Sequence, residues 1–146
     1  MKLIQSKDFI INRFYLTKSV LFCIFSDDDK RIRLDKLELE YDYDIFTSET
    51  KPGILNLVVS FSIRCNEDEK PGYYFDVEAV GEFTLKNAAL RTDKIRKQYI
   101  LFTALPVVIN SLRTYLQNIT SMHYFGTYKL PSVDLMKLIE SKQEDV

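Results

Sequence analysis

Long runs of two-residue alternation constrain this chain more than any other feature of its sequence. In residues 34–46, Leu37, Leu39, Tyr41, Tyr43 and Ile45 fall on one parity, and Glu38, Glu40, Asp42 and Asp44 on the other. In residues 54–65, Leu55, Leu57, Val59, Phe61, Ile63 and Cys65 share a parity. In residues 73–85, Tyr73, Phe75, Val77, Ala79, Phe83 and Leu85 alternate with Tyr74, Asp76, Glu78, Val80, Glu82 and Thr84. Successive side chains of a strand point to opposite faces, so this period predicts half-buried strands. Residues 9–25 are rich in β-branched and aromatic side chains and predict a further strand. Two polar turns, Thr47 to Gly53 and Asn66 to Gly72, both end in Lys-Pro-Gly. Pro then Gly suits a type II turn, and short connections favour antiparallel pairing.

After a basic linker, residues 86–98, the period becomes helical. Leu101, Leu105, Val108, Ile109, Leu112, Leu116 and Ile119 recur at three- and four-residue steps, with Asn110, Arg113, Thr114, Gln117 and Asn118 opposite. Pro106 fits only the first turn of such a helix, with Thr103 as its cap. Residues 121–131 read as a loop. Ser132 then caps a short helix running to Gln143, with Val133, Leu135, Met136, Leu138 and Ile139 mostly inward, and Glu144 to Val146 fray. The fold class is therefore α+β. One domain, residues 1–146, carries a four-stranded antiparallel meander sheet, then a long helix and a short C-terminal helix that cover one sheet face.

Composition narrows the function. With 46% apolar and 28% charged residues, the chain is of globular type, and a net charge of −1 gives no pull toward nucleic acid or anionic lipid. Cys23 and Cys65 lie in apolar runs and read as buried thiols in a reducing compartment. Met1 to Ser6 is no secretory leader, and the longest apolar run, Val20 to Phe25, is far short of the about 20 residues that span a bilayer. The expectation is a soluble, cytoplasmic protein. No nucleotide loop or nucleophile elbow occurs, His123 reads as a solvated loop side chain, and Asp27-Asp28-Asp29 as a charged turn without calcium-loop spacing. No cofactor, metal or catalytic role is expected.

Two features leave alternatives open. The acids Glu38, Glu40, Asp42 and Asp44 on one strand, and Asp76, Glu78 and Glu82 on another, share a sheet face. They form either a solvated face that resists edge pairing or a docking surface for a basic partner. Phe9, Phe14, Tyr15, Phe22 and Phe25 occupy both parities of the first strand. Either the chain's own loops cover them, or they meet a second subunit or an apolar polypeptide.

Several local signatures, in order along the chain from about Phe9 to Glu140, resemble the SecB family of protein-export chaperones. Asn12-Arg13-Phe14-Tyr15 is similar to that family's opening strand. Phe75-Asp76-Val77-Glu78 followed by Gly81-Glu82-Phe83-Thr84-Leu85 is similar to its last strand, and Ile100-Leu101-Phe102 to the entry of its long helix. The most specific piece is Gly126, then Leu130-Pro131-Ser132-Val133-Asp134-Leu135 and Leu138. The resemblance implies a homotetramer built as a dimer of dimers. It implies apolar grooves that hold unfolded clients without ATP, and an acidic outer sheet face that receives the translocase motor ATPase. Some relatives of this kind serve toxin–antitoxin systems. The sequence departs from the family pattern at Thr103-Ala104-Leu105-Pro106-Val107, where the proline has moved and a charged pair is missing. It departs again near Lys18 or Ser19, where an acid is expected; Asp76 keeps the other acid.

The expected function is an ATP-independent holdase for unfolded or nascent polypeptides in Sec-dependent export. The alternative is a SecB-like module dedicated to one partner, such as a toxin–antitoxin chaperone. The expected client groove is Phe14, Phe22, Phe25, Phe46, Tyr99 and Phe102. The expected docking face is Glu38, Glu40, Asp42, Asp44, Asp76, Glu78 and Glu82.

Overall fold

The apolar parity of the third and fourth predicted strands is the core of the molecule. A computed structural model describes residues 9–25, 38–48, 50, 51, 53–64, 71–86 and 100–144. In it β1 spans Phe9–Ile24, β2 Glu40–Thr47, β3 Ile54–Ile63 and β4 Gly72–Leu85. Leu55, Leu57, Val59, Phe61 and Ile63 of β3 and Tyr73, Phe75, Val77, Ala79, Phe83 and Leu85 of β4 are all buried on one face. The long helix α1, Leu105–Thr120, lies over that face and buries Leu105, Val108, Ile109, Leu112 and Leu116. Gly81 permits this approach, because a Cβ there would stand 2.6 Å from Val108 Cγ2 and 2.8 Å from the Phe83 ring.

The sheet is antiparallel throughout, with strand order β1-β4-β3-β2. The meander therefore runs through β2, β3 and β4, and β1 lies at the far edge beside β4 instead of next to β2. Length favours this: the 16 residues of β1 match the 14 of β4, whereas β2 has 8. At the first meander turn, Gly53 has φ +91° and Ile54 N–H donates to Lys51 O at 3.3 Å, as a type II turn requires.

Two bulges in β1, between Ile11 and Arg13 and between Leu16 and Lys18, each switch the parity that faces the helices. Ile11 pairs with Phe83, Phe14 with Gly81, Leu16 with Ala79, and Leu21 with Phe75, so all four face the helix side. Tyr15, Val20 and Phe22 pair with Val80, Asp76 and Tyr74 on the outer side. The mixed parity of the aromatics is partly these bulges and partly an outer face that is itself apolar.

Helix α1 is entered through a π-helical turn, Ile100–Ala104. Thr103 lies inside that turn, so it does not cap. The N-cap is Ala104, already in helical conformation and without a side-chain cap bond, and Pro106 sits in the first turn as expected. The C-terminal helix α2 spans Leu135–Glu144, and its cap is Asp134, not Ser132. Lys137 N–H donates to Asp134 Oδ1 at 3.2 Å, the bond an N-cap makes to the third helical residue. Between the helices, Tyr73 donates its hydroxyl to Gly126 O, and Tyr128 N–H donates to Thr120 Oγ1 at 2.8 Å. These bonds fix the 121–131 loop on the core.

Leu37, Cys65, Tyr99, the Asp27–Asp29 turn, linker residues 87–98 and residues 145–146 lie outside the described residues.

Candidate functional site

The register brings the acids together on one face. Residues paired across antiparallel strands project to the same side, so Asp42, Ser60, Glu78 and Lys18 form one row across the sheet. Glu40, Ser62, Asp76 and Val20 form the next, and Phe46, Asn56, Glu82 and Arg13 another. The expected docking acids of β2 and β4, Glu40, Asp42, Asp44, Asp76, Glu78 and Glu82, thus share the outer face, away from α1, while Glu38 lies before β2 and outside its pairing.

That face carries its own cations. Lys18 ion-pairs with Asp76, Arg13 lies 3.6 Å from Glu82, and Arg64 lies 3.2 Å from Glu40. Thr17 donates its hydroxyl to Glu78 Oε1 at 2.6 Å. Lys142 reaches from α2 to Asp42 at 2.9 Å and Asp44 at 3.0 Å. Exposed pairs of this kind are each worth about 0–1 kcal/mol, so their stabilising effect is small. Their effect on the surface potential is larger, since most of these acids already stand beside a cation or donor of the same chain. Sequence reasoning missed these cations. The signal was present in Arg13 and Lys18, but only the pairing of β1 with β4 aligns them with Glu82 and Asp76.

The expected groove residues separate. Phe14 faces the helix side, at Gly81. Phe22 faces outward and stacks on Tyr74, ring centres 5.5 Å apart. Phe25, 64% exposed, follows β1 and meets Tyr124 edge-on at 5.0 Å. Phe46 points outward from the opposite edge strand, and Phe102 stands exposed on the π-helical turn. Within one copy of the chain these residues occupy both faces and both edges of the sheet and do not line one groove.

What does gather is apolar surface along β1. Ile11, Phe14, Tyr15, Val20, Phe22 and Phe25 are all exposed large side chains. Among the described residues β1 pairs with β4 on one side only, so its other edge presents unpaired backbone groups. Near its end, Met122 and Tyr124 in the loop after α1 add further exposed apolar surface. Cys23, half-buried on the helix side of β1, has its thiol pushed up by burial.

The edge at β2 is built differently. Tyr43 is buried there, its hydroxyl pushed up by burial foremost, and Lys142 Nζ lies 4.6 Å from its ring centre. Burial alone would lower the Lys142 ammonium. The hydrogen bonds and charges of Asp42 and Asp44 overcome that and hold it above its usual value.

No family model matches the sequence, and no curated protein matches it. Solved structures match the shape. One is the Mycobacterium tuberculosis SecB-like chaperone Rv1957 in complex with a ChAD peptide from the antitoxin Rv1956 HigA1. It superposes with a TM-score of 0.57 at 14% identity, over 87% of this chain and 91% of that one. The fold is SecB-like. A Streptococcus agalactiae protein of unknown function also matches, with a TM-score of 0.45 at 7% identity, over 88% of this chain and 100% of that one. The four antiparallel strands, the long helix and the short C-terminal helix are the elements of the SecB-like fold as the sequence predicts them. Among the described residues of this SecB-like chain, no helix is long and apolar enough to cross a membrane.

Proposed function

We infer that this chain is an ATP-independent chaperone that binds unfolded or nascent polypeptide in the cytoplasm, without a cofactor and without catalysis, and that it is dedicated to one partner chain. The observation that carries this reading is β1, an edge strand with exposed apolar side chains on both faces. Such a strand offers backbone hydrogen bonds for affinity and apolar area at about 25 cal/mol per Å² before ordering costs. It serves equally for joining copies of the chain into a dimer of dimers. The Phe14, Phe22, Phe25, Phe46, Tyr99 and Phe102 set then belongs to surfaces completed between copies.

A second reading, a general holdase for Sec export, is favoured by the acids Glu38, Glu40, Asp42, Asp44, Asp76, Glu78 and Glu82. A motor ATPase would dock on them. Lys18 beside Asp76, Arg13 beside Glu82 and Lys142 beside Asp42 and Asp44 leave a basic partner little open negative charge, which supports the dedicated reading.

The decisive experiment pairs two measurements. Capture on the full chain is expected to return one partner in stoichiometric amount, and the chain is expected to suppress aggregation of that partner without ATP. Suppression of aggregation of an unrelated unfolded secretory protein, with no stoichiometric partner, favours export instead. Aggregation curves unchanged for both substrates at a molar excess of tetramer sink both readings.

A further inference from the structure

The C-terminal helix ends on a clamp. Lys142 Nζ lies 2.9 Å from Asp42 Oδ1, 3.0 Å from Asp44 Oδ1 and 4.6 Å from the Tyr43 ring centre. Consecutive residues of β2 thus hold one ammonium, the carboxylates from the outer side and the ring from the helix side. Asp42 Oδ1 also accepts the backbone N–H of Tyr43 at 2.8 Å. Among the described residues β2 is an edge strand, and the free backbone groups of such an edge are where an extended chain adds. At Tyr43 the donor is already taken by Asp42, and Asp42 is held by Lys142.

The helix that carries the clamp is short. Helix α2 has 10 residues, below the about 12–15 at which isolated helices become even marginally stable. Its attachments include Leu138 and Ile139, both buried, Leu135, half-buried against the core, and Lys142 in its last turn. Beside Tyr43 on the same face of β2, Tyr41 and Ile45 are 38% and 37% exposed. Release of α2 would join Tyr43 to Tyr41 and Ile45 in one apolar strip, on a strand whose edge is then open.

We propose that Lys142 is an electrostatic latch that keeps the β2 edge closed, and that the occupant it excludes is an extended polypeptide segment carrying a basic side chain. The segment's own lysine or arginine replaces Lys142 between Asp42 and Asp44. One of its carbonyls takes the Tyr43 N–H as Asp42 turns to the incoming cation. Its alternate apolar side chains lie on Tyr41, Tyr43 and Ile45. The proposal rests on the polypeptide-binding reading above and deepens it, by naming the strand that receives the segment and the charge that selects it.

Two measurements on the full chain test it. The first is hydrogen–deuterium exchange of wild type, Lys142→Gln and Lys142→Arg. Exchange at residues 40–47 and 135–144 is expected to rise about 5- to 10-fold in Lys142→Gln, from loss of the ion pairs and the cation–ring contact. Molar salt is expected to move wild type the same way, and Lys142→Arg to stay near wild type. Unchanged exchange in Lys142→Gln overturns the latch. The second is fluorescence anisotropy with a short peptide of alternating valine and threonine carrying one central lysine, and its twin with glutamate. Wild type is expected to prefer the lysine peptide, Lys142→Gln to bind it several-fold tighter, and the Asp42→Asn/Asp44→Asn variant to lose the preference. Binding of both peptides equally by all variants overturns the latch while leaving polypeptide binding intact. Binding of neither peptide, with no aggregation suppression, overturns the latch's occupant and the polypeptide-binding reading together.

Discussion

Gly81 is the point of closest approach between sheet and helix. A methyl group there would overlap Val108 Cγ2 and the Phe83 ring, both fixed in the core. Gly81→Ala is expected to destabilise the fold by about 1–3 kcal/mol, as overpacking does, and Val108→Ala in the same chain to recover part of the loss. Urea midpoints of the single and double variants check this. Tyr73 and Tyr128 carry a second residue-scale consequence. Burial pushes both hydroxyls from 10.0 up to about 12. A group whose proton is held more tightly in the folded state stabilises below its unfolded pKa and loses that contribution as pH rises through the folded one. Stability is therefore expected to be level below about pH 10 and to fall between about pH 10 and 12. Tyr73→Phe is expected to flatten that fall and to cost about 1–3 kcal/mol at neutral pH, since Gly126 O loses the hydroxyl that donates to it. Denaturant unfolding at intervals across that range measures both. Residues of this kind were legible as a motif, Gly81 ahead of Phe83, but not as a cause. The reason for the glycine is a side chain on α1, and no local pattern reports it.

At the scale of elements, alternation made β2, β3 and β4 legible, because β3 and β4 each turn a full face to the core and β2 turns Tyr43 to the same side. β1 was legible as a strand and not as a pattern. Its two bulges break the period of two, and its outer face is apolar in its own right, so parity alone gave no direction for Phe14 or Phe22. The partner of β1 was not legible either. Short turns suggest neighbours in sequence, but a long first strand finds its match in β4. The helix starts failed for a related reason. Thr103 and Ser132 are good caps by type, yet the π-helical turn absorbs the first and Asp134 lies at the actual start of α2. Asp134→Ala is expected to cost about 0.5–2 kcal/mol of local stability, the usual loss at an N-cap. Faster hydrogen exchange at residues 135–144, and at residues 40–47 where Lys142 holds β2, with β3 and β4 unchanged, is the expected readout. Exchange that rises equally in β3 and β4 would instead make α2 part of the cooperative core.

For the whole molecule, the candidate site was legible only in part. The acids of β2 and β4 are legible and share a face, but the cations that answer them come from β1, from Arg64 just after β3 and from α2, and only the fold brings those together. The aromatics were found, but one copy scatters them over both faces and both edges. That scatter is itself an argument about assembly. A monomer with Ile11, Tyr15, Val20 and Phe22 exposed along a strand whose outer edge is unpaired among the described residues carries an aggregation template, which natural sheets blunt with lysine, proline or cover. On β1 the lysine and arginine, Lys18 and Arg13, are engaged with Asp76 and Glu82 and leave the rest of the edge unprotected. A stable interface buries about 1,000 Å² or more, which a 16-residue strand joined along its edge and faces can supply. On the dimer-of-dimers proposal the expected solution mass is near four times 17.2 kDa. Lysines placed at Ile11 and Val20, each about half exposed and on opposite faces of β1, are compatible with the folded chain but not with an apolar contact between copies. The Ile11→Lys/Val20→Lys variant is expected to run as a smaller species with an unchanged circular dichroism spectrum. Light scattering decides the matter: a wild type that is strictly monomeric removes the assembly reading, and a variant that stays tetrameric moves the contact away from β1 to the exposed surface around Phe102, on the π-helical turn before α1.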